Sequence, residues 1–332
     1  MRIIKPSATL MEHNIHPYAF IEKVGRTCYK SEDYIKEGSA EKFVAGLVKR
    51  EHMAMLEHEH IYLLLSKEFM QDFMFDMDYV DEELTFFNIT RDHNNKVYVL
   101  SGSFRSFYDL FKKDYRTYTI EFIKRGLKME YPLVFGCFAD ASFFKMYPEN
   151  SCVMVSRNEF KEMFKDRGDI LFKHLIHTFL FVTDRGVTHE FVRHRPASYA
   201  QESTRYCNYS KDKFGNEISV ILPCFFDTGM GEMSNSFVYD TWKHSCEVAE
   251  RDYFKLLEYG ATPQQARTVL PNSLKTELIV TATESEWQHI VNLRYIGTTG
   301  APHPQIKEAM TFAVPFLIIE SKGRIRTDKG VK

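Results

Sequence analysis

Arginine side chains crowd one short stretch of the sequence, residues 193–206. It reads Arg-His-Arg-Pro-Ala-Ser-Tyr-Ala-Gln-Glu-Ser-Thr-Arg-Tyr, with three arginines and a single acid, Glu202. A guanidinium always carries its charge and offers a planar fork of five donors, which matches phosphate oxygens. Several such groups close together repel one another unless an anion lies between them. The stretch therefore predicts a site for a phosphorylated ligand, and the alternative is a solvated basic face with surface ion pairs.

Composition and charge exclude several classes of protein. The chain has 332 residues, 44% of them apolar and 27% charged, which is typical of a globular protein with a sizeable core. The formal net charge of −2 predicts no bulk attraction to nucleic acid or anionic lipid. The sequence shows no apolar run long enough to span a membrane and no secretory signal, and its six cysteines are scattered. We therefore expect a cytoplasmic protein without disulfides.

Periodicity and capping residues predict the elements that must position the arginines. Strand patterns occupy residues 60–65, 96–101, 177–183, 218–222 and 274–283. Helix patterns occupy residues 103–124, 185–194, 233–259, 286–295 and 304–320. Together they predict an α+β fold, with a central, largely antiparallel or mixed sheet flanked by helices.

The triplet Arg193-His194-Arg195, followed after seven residues by Ser203, resembles the signature of the flavin-dependent thymidylate synthases. Further segments resemble other parts of that family in the right order, namely residues 25–31, 52–58, 184–190, 267–271, 292–294 and 303–305. The resemblance covers roughly residues 1–60 and 177–320. It implies a discontinuous family domain, residues 1–65 and 177–325, with an inserted region of unknown role at 66–176.

The resemblance also implies an activity. Members of the family methylate dUMP to dTMP, with methylenetetrahydrofolate as carbon donor and NADPH as reductant through FAD. By the same resemblance we expect a homotetramer whose sites are shared between subunits. No nucleic acid or membrane partner is expected.

Roles for individual residues follow from the same resemblance. Arg294 matches the catalytic arginine, which offsets negative charge on the uracil ring. The residues matched to dUMP binding are Glu190, Arg193, Gln201, Ser203, Arg205, Arg267 and Arg294. Those matched to FAD binding are His52, Glu57, Arg193, His194, Arg195, Gln201 and His303. Thr283 and His289 fall where the family often has asparagine, so neither is assigned to the flavin.

Two other functions remain open. One is a relative that binds flavin and nucleotide but does not methylate, and the other is a single-stranded nucleic-acid-binding module that uses the arginines and the many aromatic residues. The net charge argues against the second. The pairs His58/His60 and His174/His177 have spacings that could suggest a metal, but neither is matched with a third ligand, so we predict structural histidines and no metal site.

Overall fold

The computed structural model describes residues 1–80, 85–143, 145–211, 214–226 and 236–328. The strands of this part are β1 Arg2–Ile4, β2 Ser7–Met11, β3 His60–Leu65, β4 Phe87–Asp92, β5 Val97–Ser103, β6 Cys152–Val155, β7 Ile176–Asp184, β8 Ser198–Gln201, β9 Ser219–Ile221 and β10 Lys275–Thr283. Its helices are α1 Pro17–Tyr29, α2 Ser39–Lys49, α3 Lys67–Tyr79, α4 Phe104–Lys112, α5 Tyr118–Glu130, α6 Pro132–Phe135, α7 Arg157–Met163, α8 Gly168–His174, α9 Arg185–Phe191, α10 Ser236–Glu258, α11 Pro263–Ala266, α12 Glu284–Val291 and α13 Pro304–Glu320. Among the described helices, none is both long and apolar enough to cross a membrane.

The chain divides into two compact units. The first contains Met1–Met11, Gly25–Asp33 and His177–Lys332, and the second contains Glu12–Val24 and Tyr34–Ile176. Antiparallel strand pairs and helices occur in both units, which confirms the predicted α+β class. The second unit takes in residues before position 66 as well as the segment 66–176, and the status of that segment as an insertion stays a prediction.

A four-stranded antiparallel sheet, in the order β4-β5-β3-β6, forms the centre of the second unit. Strand β3 is the predicted strand 60–65, and nearly all of its side chains are buried. It pairs with β5 on one side and β6 on the other, so an apolar run with two covered faces suits its place inside the sheet. Phenylalanines of α3 and α4 fill one side of the core, namely Phe69, Phe73, Phe104 and Phe107.

The single helix predicted over residues 103–124 is wrong, because α4 and α5 occupy this region as separate helices. Asp114 has φ 52°, a left-handed conformation that a right-handed helix cannot continue through. The second helix then begins at a tertiary contact, in which the backbone N and Oγ1 of Thr119 donate to Asp76 Oδ2 at 3.0 and 2.5 Å.

The first unit contains a sheet in the order β2-β7-β10-β8 and a separate parallel pair, β1 with β9. Strands β2 and β7 are antiparallel, as are β10 and β8. Trp287 of α12 is fully buried in this unit, where its indole Nε1 donates to the carbonyl of His177 at 2.9 Å. This contact fixes α12 beside β7, and α12 leads directly into the turn that carries Arg294.

The helices around the predicted site have boundaries that differ from the sequence pattern at their ends. Helix α9 ends at Phe191, three residues before the predicted end. Helix α12 begins at Glu284 because Thr283 caps it, and after Val291 the chain continues as a π-helical turn, Asn292–Ile296. The predicted helix 304–320 is confirmed as α13, and the predicted helix 233–259 is observed from residue 236, since its first residues lie outside the described part of the chain.

A buried ion cluster ties the C-terminal segment to this unit. The carboxylate of Glu284, which is fully buried, accepts from Arg324 Nε and Nη2 at 2.7 Å each and pairs with His177 Nε2 at 3.0 Å. Burial alone raises the pKa of Glu284, but the hydrogen bonds from Arg324 and His177 outweigh it and hold that pKa below its usual value. His177 therefore has the structural role predicted for it.

Replacing Glu284 with glutamine should lower the free energy of unfolding by ~3–5 kcal/mol, because it leaves the largely buried Arg324 charge, 15% exposed, without its partner. The measurement is denaturant unfolding of the full chain. The matched control is Glu247→Gln, which removes an exposed pair with Lys243 at 3.8 Å and should cost no more than ~0.5 kcal/mol. Equal losses of unfolding free energy in the two variants would show that the buried cluster contributes no more than an exposed ion pair.

Candidate active site

Arg294 is the centre of the site, and its guanidinium is held from two sides. Nη1 donates to Glu190 Oε2 at 2.8 Å, and Nη2 donates to the Glu190 carbonyl at 3.3 Å. Nε donates to His194 Nε2 at 2.9 Å. The side chain is still 21% exposed, so the guanidinium is fixed by the protein yet remains open to a ligand on one side.

Asp184 positions the helix that carries Glu190. Its Oδ1 caps α9 by accepting from the Val187 backbone N at 2.8 Å, and its Oδ2 accepts from Gln305 Nε2 at 2.8 Å. This buried carboxylate thus ties the start of α13 to the start of α9, and burial raises its pKa. As a result His303, which precedes α13, lies with Nδ1 3.7 Å from Glu190 Oε1.

His194 is buried in a neutral form. Burial lowers its pKa to about 4, and the positive charge of Arg294 acts in the same direction. A neutral imidazole has one nitrogen that accepts, which is what the Arg294 donor requires. The Tyr199 hydroxyl holds the surrounding loop by donating to the carbonyls of Phe191 and His194 at 2.7 and 3.1 Å.

Three arginines of the 193–206 stretch are exposed and have no carboxylate partner within the described residues: Arg193, Arg195 and Arg205. Arg195 Nη1 donates to the carbonyls of Val192 and His194 at 2.5 and 3.0 Å. The Arg205 guanidinium lies 5.6 Å from the centre of the Tyr206 ring. Their charges are therefore not neutralised by nearby acids.

The single acid of the stretch, Glu202, is buried and faces a lysine instead. Lys275 Nζ donates to Glu202 Oε2 at 2.9 Å and to Glu277 Oε1 at 2.6 Å. Lys30 Nζ forms a second ion pair with Glu277 at 2.6 Å. Carboxylates and lysines thus satisfy each other, and the arginine forks remain available for an external anion.

Ser203, Arg205 and Arg267 come together around Thr204. The backbone N of Ser203 donates to the Cys28 carbonyl at 3.0 Å, and its Oγ accepts from the Arg205 backbone N at 3.3 Å. Arg267 Nη1 donates to Thr204 Oγ1 at 3.2 Å. The fold therefore brings Arg267, which is distant in sequence, to the segment that carries Ser203 and Arg205.

Gln201 ends strand β8 and is anchored to its neighbours. Its Nε2 donates to Thr188 Oγ1 at 3.1 Å and to Thr276 Oγ1 at 3.3 Å. The amide nitrogen is thereby used within the protein, so the side-chain oxygen is the atom that can serve a ligand.

His52 and Glu57 lie in the second unit, where His52 immediately precedes a short 3₁₀ segment, Met53–His58, and Glu57 lies within that segment. His52 is exposed, and Glu57 Oε1 accepts from Arg105 Nη1 at 2.6 Å. Their assignment to the flavin stays a prediction.

Two further residues near His194 were not predicted from the sequence as site residues, Glu286 and His289. They lie one turn apart on α12, and their ligand atoms and one of His194 are all within 4.8 Å of one another. Glu286 Oε1 is buried and has no hydrogen-bond partner in the described structure, and burial raises the pKa of Glu286 to about 7. The signal available in the sequence was Glu-x-x-His within a predicted helix, but only the fold shows that it faces His194.

The neutral state of His194 predicts a pH dependence of stability. Its pKa of about 4 in the folded chain lies below the ~6.5 of an unfolded histidine, so the unfolded chain binds a proton that the folded chain does not. The contribution is complete above pH ~6.5 and is lost as the pH falls toward about 4, by at most ~1.4 kcal/mol per pH unit. The free energy of unfolding is measured against pH for wild type and for His194→Asn. The wild-type value minus the variant value should decrease as the pH is lowered from ~6.5 toward about 4. A difference that does not change with pH would contradict the neutral state assigned to His194.

Comparisons with known proteins point to one family. Residues 147–311 match the family described as thymidylate synthase complementing protein. Flavin-dependent thymidylate synthases are among the similar proteins: that of Geobacter sulfurreducens is 33% identical over 110 residues, covering 33% of this chain and 43% of the relative. That of Saccharolobus solfataricus is 30% identical over 123 residues, covering 37% and 43%. The aligned part of the chain thus spans less than half the length of these relatives.

A solved structure, the UMP/dUMP methylase PolB from Streptomyces cacaoi bound with 5-Br dUMP, aligns over 98% of this chain and 99% of its own, with 14% identity and a TM-score of 0.39. The resemblance inferred from the signature is confirmed by the family match and the curated relatives. Residues 147–311 thus resemble the thymidylate synthase complementing protein family.

Proposed function

We propose that the chain catalyses the reductive methylation of dUMP to dTMP, with methylenetetrahydrofolate as carbon donor and NADPH as reductant through FAD. The observation that carries the proposal is the arrangement of Arg294, whose guanidinium is fixed by Glu190 and His194 and still partly exposed. This arrangement supports a role in which the fixed positive charge of Arg294 contacts the substrate as well as Glu190 and His194.

Arg294 would act on the uracil ring. Carbon 5 of uracil is a weak nucleophile, and it becomes stronger when negative charge on the ring is stabilised. A guanidinium held in place before the reaction stabilises that charge without reorganisation. Glu190 would orient Arg294, and neutral His194 would do so without adding a second positive charge.

The nucleotide phosphate would bind at Arg205, Arg267 and Ser203. Among the described residues, Arg205 has no carboxylate partner, and the Arg267 guanidinium donates only to the neutral hydroxyl of Thr204. Bidentate pairing of such forks with phosphate is strong because both partners are charged. Glu190, Arg193 and Gln201 would complete the dUMP site, as the family resemblance implies.

The residues present fit FAD. Arg193 and Arg195 offer exposed guanidiniums for its pyrophosphate, and the buried, unpartnered Glu286 Oε1 offers an acceptor for an N–H or hydroxyl group. When bound, FAD supplies the redox chemistry, and the protein supplies binding and orientation. The other residues proposed for the cofactor are His52, Glu57, His194, Gln201 and His303.

We also propose a homotetramer, a discontinuous catalytic domain of residues 1–65 and 177–325, and an inserted region at 66–176. Support for association comes from α13, which carries exposed apolar side chains at helical spacing in addition to its buried face. They are Phe312, Phe316 and Ile319. Such a helix favours packing against another surface.

The deciding experiment is NADPH-dependent conversion of dUMP to dTMP by the purified full chain, with and without added FAD. We expect a yellow protein and dTMP formation that requires methylenetetrahydrofolate. Flavin and dUMP binding without dTMP would instead identify a relative that has lost methylation. Tight binding of single-stranded nucleic acid by a chain without flavin would favour the nucleic-acid-binding module.

Arg205→Ala should weaken dUMP binding by ~1.5–3 kcal/mol, the cost of a lost hydrogen bond to a charged group. The measurement is isothermal titration with dUMP on chains of equal flavin content. Arg251→Ala is the matched control, since Arg251 is an exposed arginine of α10 paired with Asp252. Unchanged affinity in Arg205→Ala would remove this residue from the phosphate site.

Arg294→Lys should retain folding, flavin and a near-normal rate of flavin reduction by NADPH, while dTMP formation falls ~100-fold or more. The lysine keeps the charge but lacks the planar fork that reaches Glu190 and His194 together. Reduction and methylation are measured as separate half-reactions. If both fall together, Arg294 supports the flavin or the fold, and if methylation survives, its catalytic assignment fails.

A further inference from the structure

The phosphate-binding residues of the proposed function lie on a short segment whose side chains alternate between the interior and the surface. Glu202 and Thr204 are buried, whereas Ser203 is half-buried and Arg205 is exposed. The two buried side chains fix the backbone from which Ser203 and Arg205 project. The place of a phosphate at these residues therefore depends on what holds the buried pair.

Strand β10 holds Glu202 at two points. The Glu202 backbone N donates to the Glu277 carbonyl at 2.8 Å, although β8 has already ended at Gln201. Lys275 Nζ donates to Glu202 Oε2 at 2.9 Å. Because both partners belong to one strand, the backbone and the side chain of Glu202 are fixed relative to the same part of the sheet.

The charges around Glu202 balance. Lys275 Nζ also donates to Glu277 Oε1 at 2.6 Å, and Lys30 Nζ pairs with Glu277 Oε2 at 2.6 Å. Burial alone raises the pKa of Glu277, but the charges and hydrogen bonds of Lys275 and Lys30 outweigh it and hold that pKa below its usual value. Two carboxylates therefore face two ammonium groups. Since a buried acid paired in this way adds little net charge near a phosphate, its distinctive contribution is the geometry that it imposes.

We propose that Glu202, anchored by Lys275, is a positioning residue that sets Ser203 and Arg205 for the nucleotide phosphate, an inference that rests on the proposed function. Glu202 contacts no reacting atom in this role and acts through the backbone that it shares with Ser203. Charge-assisted hydrogen bonds are short and directional, so a displacement of about 1 Å in the segment is enough to weaken them severely. The reach of the Glu202 side chain, rather than its charge, is then the property that dUMP binding requires.

Two substitutions separate reach from charge. Glu202→Asp keeps the charge but shortens the side chain by one carbon–carbon bond, about 1.5 Å, so its carboxylate meets Lys275 only if the segment shifts. Glu202→Gln keeps the length, and its amide oxygen still accepts from Lys275, which stays paired with Glu277. We expect Glu202→Asp to weaken dUMP binding by at least ~10-fold and Glu202→Gln to change it by no more than ~3-fold.

The measurement is isothermal titration of the full chain with dUMP and, in parallel, with deoxyuridine, which lacks the phosphate. Chains of equal flavin content are compared. Loss of positioning at the phosphate should lower the affinity for dUMP and leave that for deoxyuridine unchanged, whereas general damage to the fold would lower both. The matched control is Glu247→Asp, which shortens an exposed acid of α10 and should change neither affinity.

A double variant, Glu202→Gln with Lys275→Met, tests the same contact if Glu202→Asp does not fold. It removes one charge of each sign and leaves Glu277 paired with Lys30, so no buried charge is left unpaired. This variant should also weaken dUMP binding by at least ~10-fold and leave deoxyuridine binding unchanged.

Wild-type dUMP affinity in the variants that lose the contact, or equal weakening of both ligands, would overturn the positioning role alone. Tighter dUMP binding by Glu202→Gln would overturn it as well, because the charge of Glu202 and not its reach would then govern binding. A wild-type chain that binds no dUMP would overturn the proposed function, and the positioning role with it.

Discussion

The ion pair between Glu190 and Arg294 brings together parts of the chain that are about a hundred residues apart. Glu190 belongs to α9 and Arg294 to the π-helical turn after α12, and their atoms meet at 2.8 Å. Removing either partner would leave a half-buried charge unpaired, which costs far more than an exposed pair contributes. Arg294 also donates to His194, so the same guanidinium links Glu190 to the arginine-rich segment. The arrangement of the site therefore depends on this pair.

The pair can form only because local backbone features place its two partners. Asp184 fixes the start of α9 and accepts from Gln305 of α13. On the other side, Gly297 ends the π-helical turn with φ 76°, and a Cβ there would lie 2.7 Å from the Gly300 carbonyl oxygen. A side chain at this position would both strain the backbone and push the loop away. The Asp184 cap and Gly297 thus place the Arg294 guanidinium within hydrogen-bonding distance of Glu190.

Sequence patterns predicted what depends on neighbouring residues and missed what depends on distant ones. The strands 177–183 and 274–283 were recognisable because their apolar runs reflect local burial, and the arginine stretch because its functional groups are contiguous. The break between α4 and α5 was missed because Asp76, far away in sequence, holds Thr119 at the start of the second helix. Glu286 was missed for the same reason, since its significance arises only from facing His194.

The distribution of charge in the first unit explains why the arginines remain available. Lys275 and Lys30, whose ammonium groups act as point charges, satisfy the carboxylates of Glu202 and Glu277. Had arginine taken those carboxylates, its fork would have been used inside the protein. Exposed guanidiniums without acids repel one another, and this repulsion lowers stability in the absence of a ligand. Such a cost is expected where function requires it, and an anion bound among the forks converts the repulsion into binding free energy.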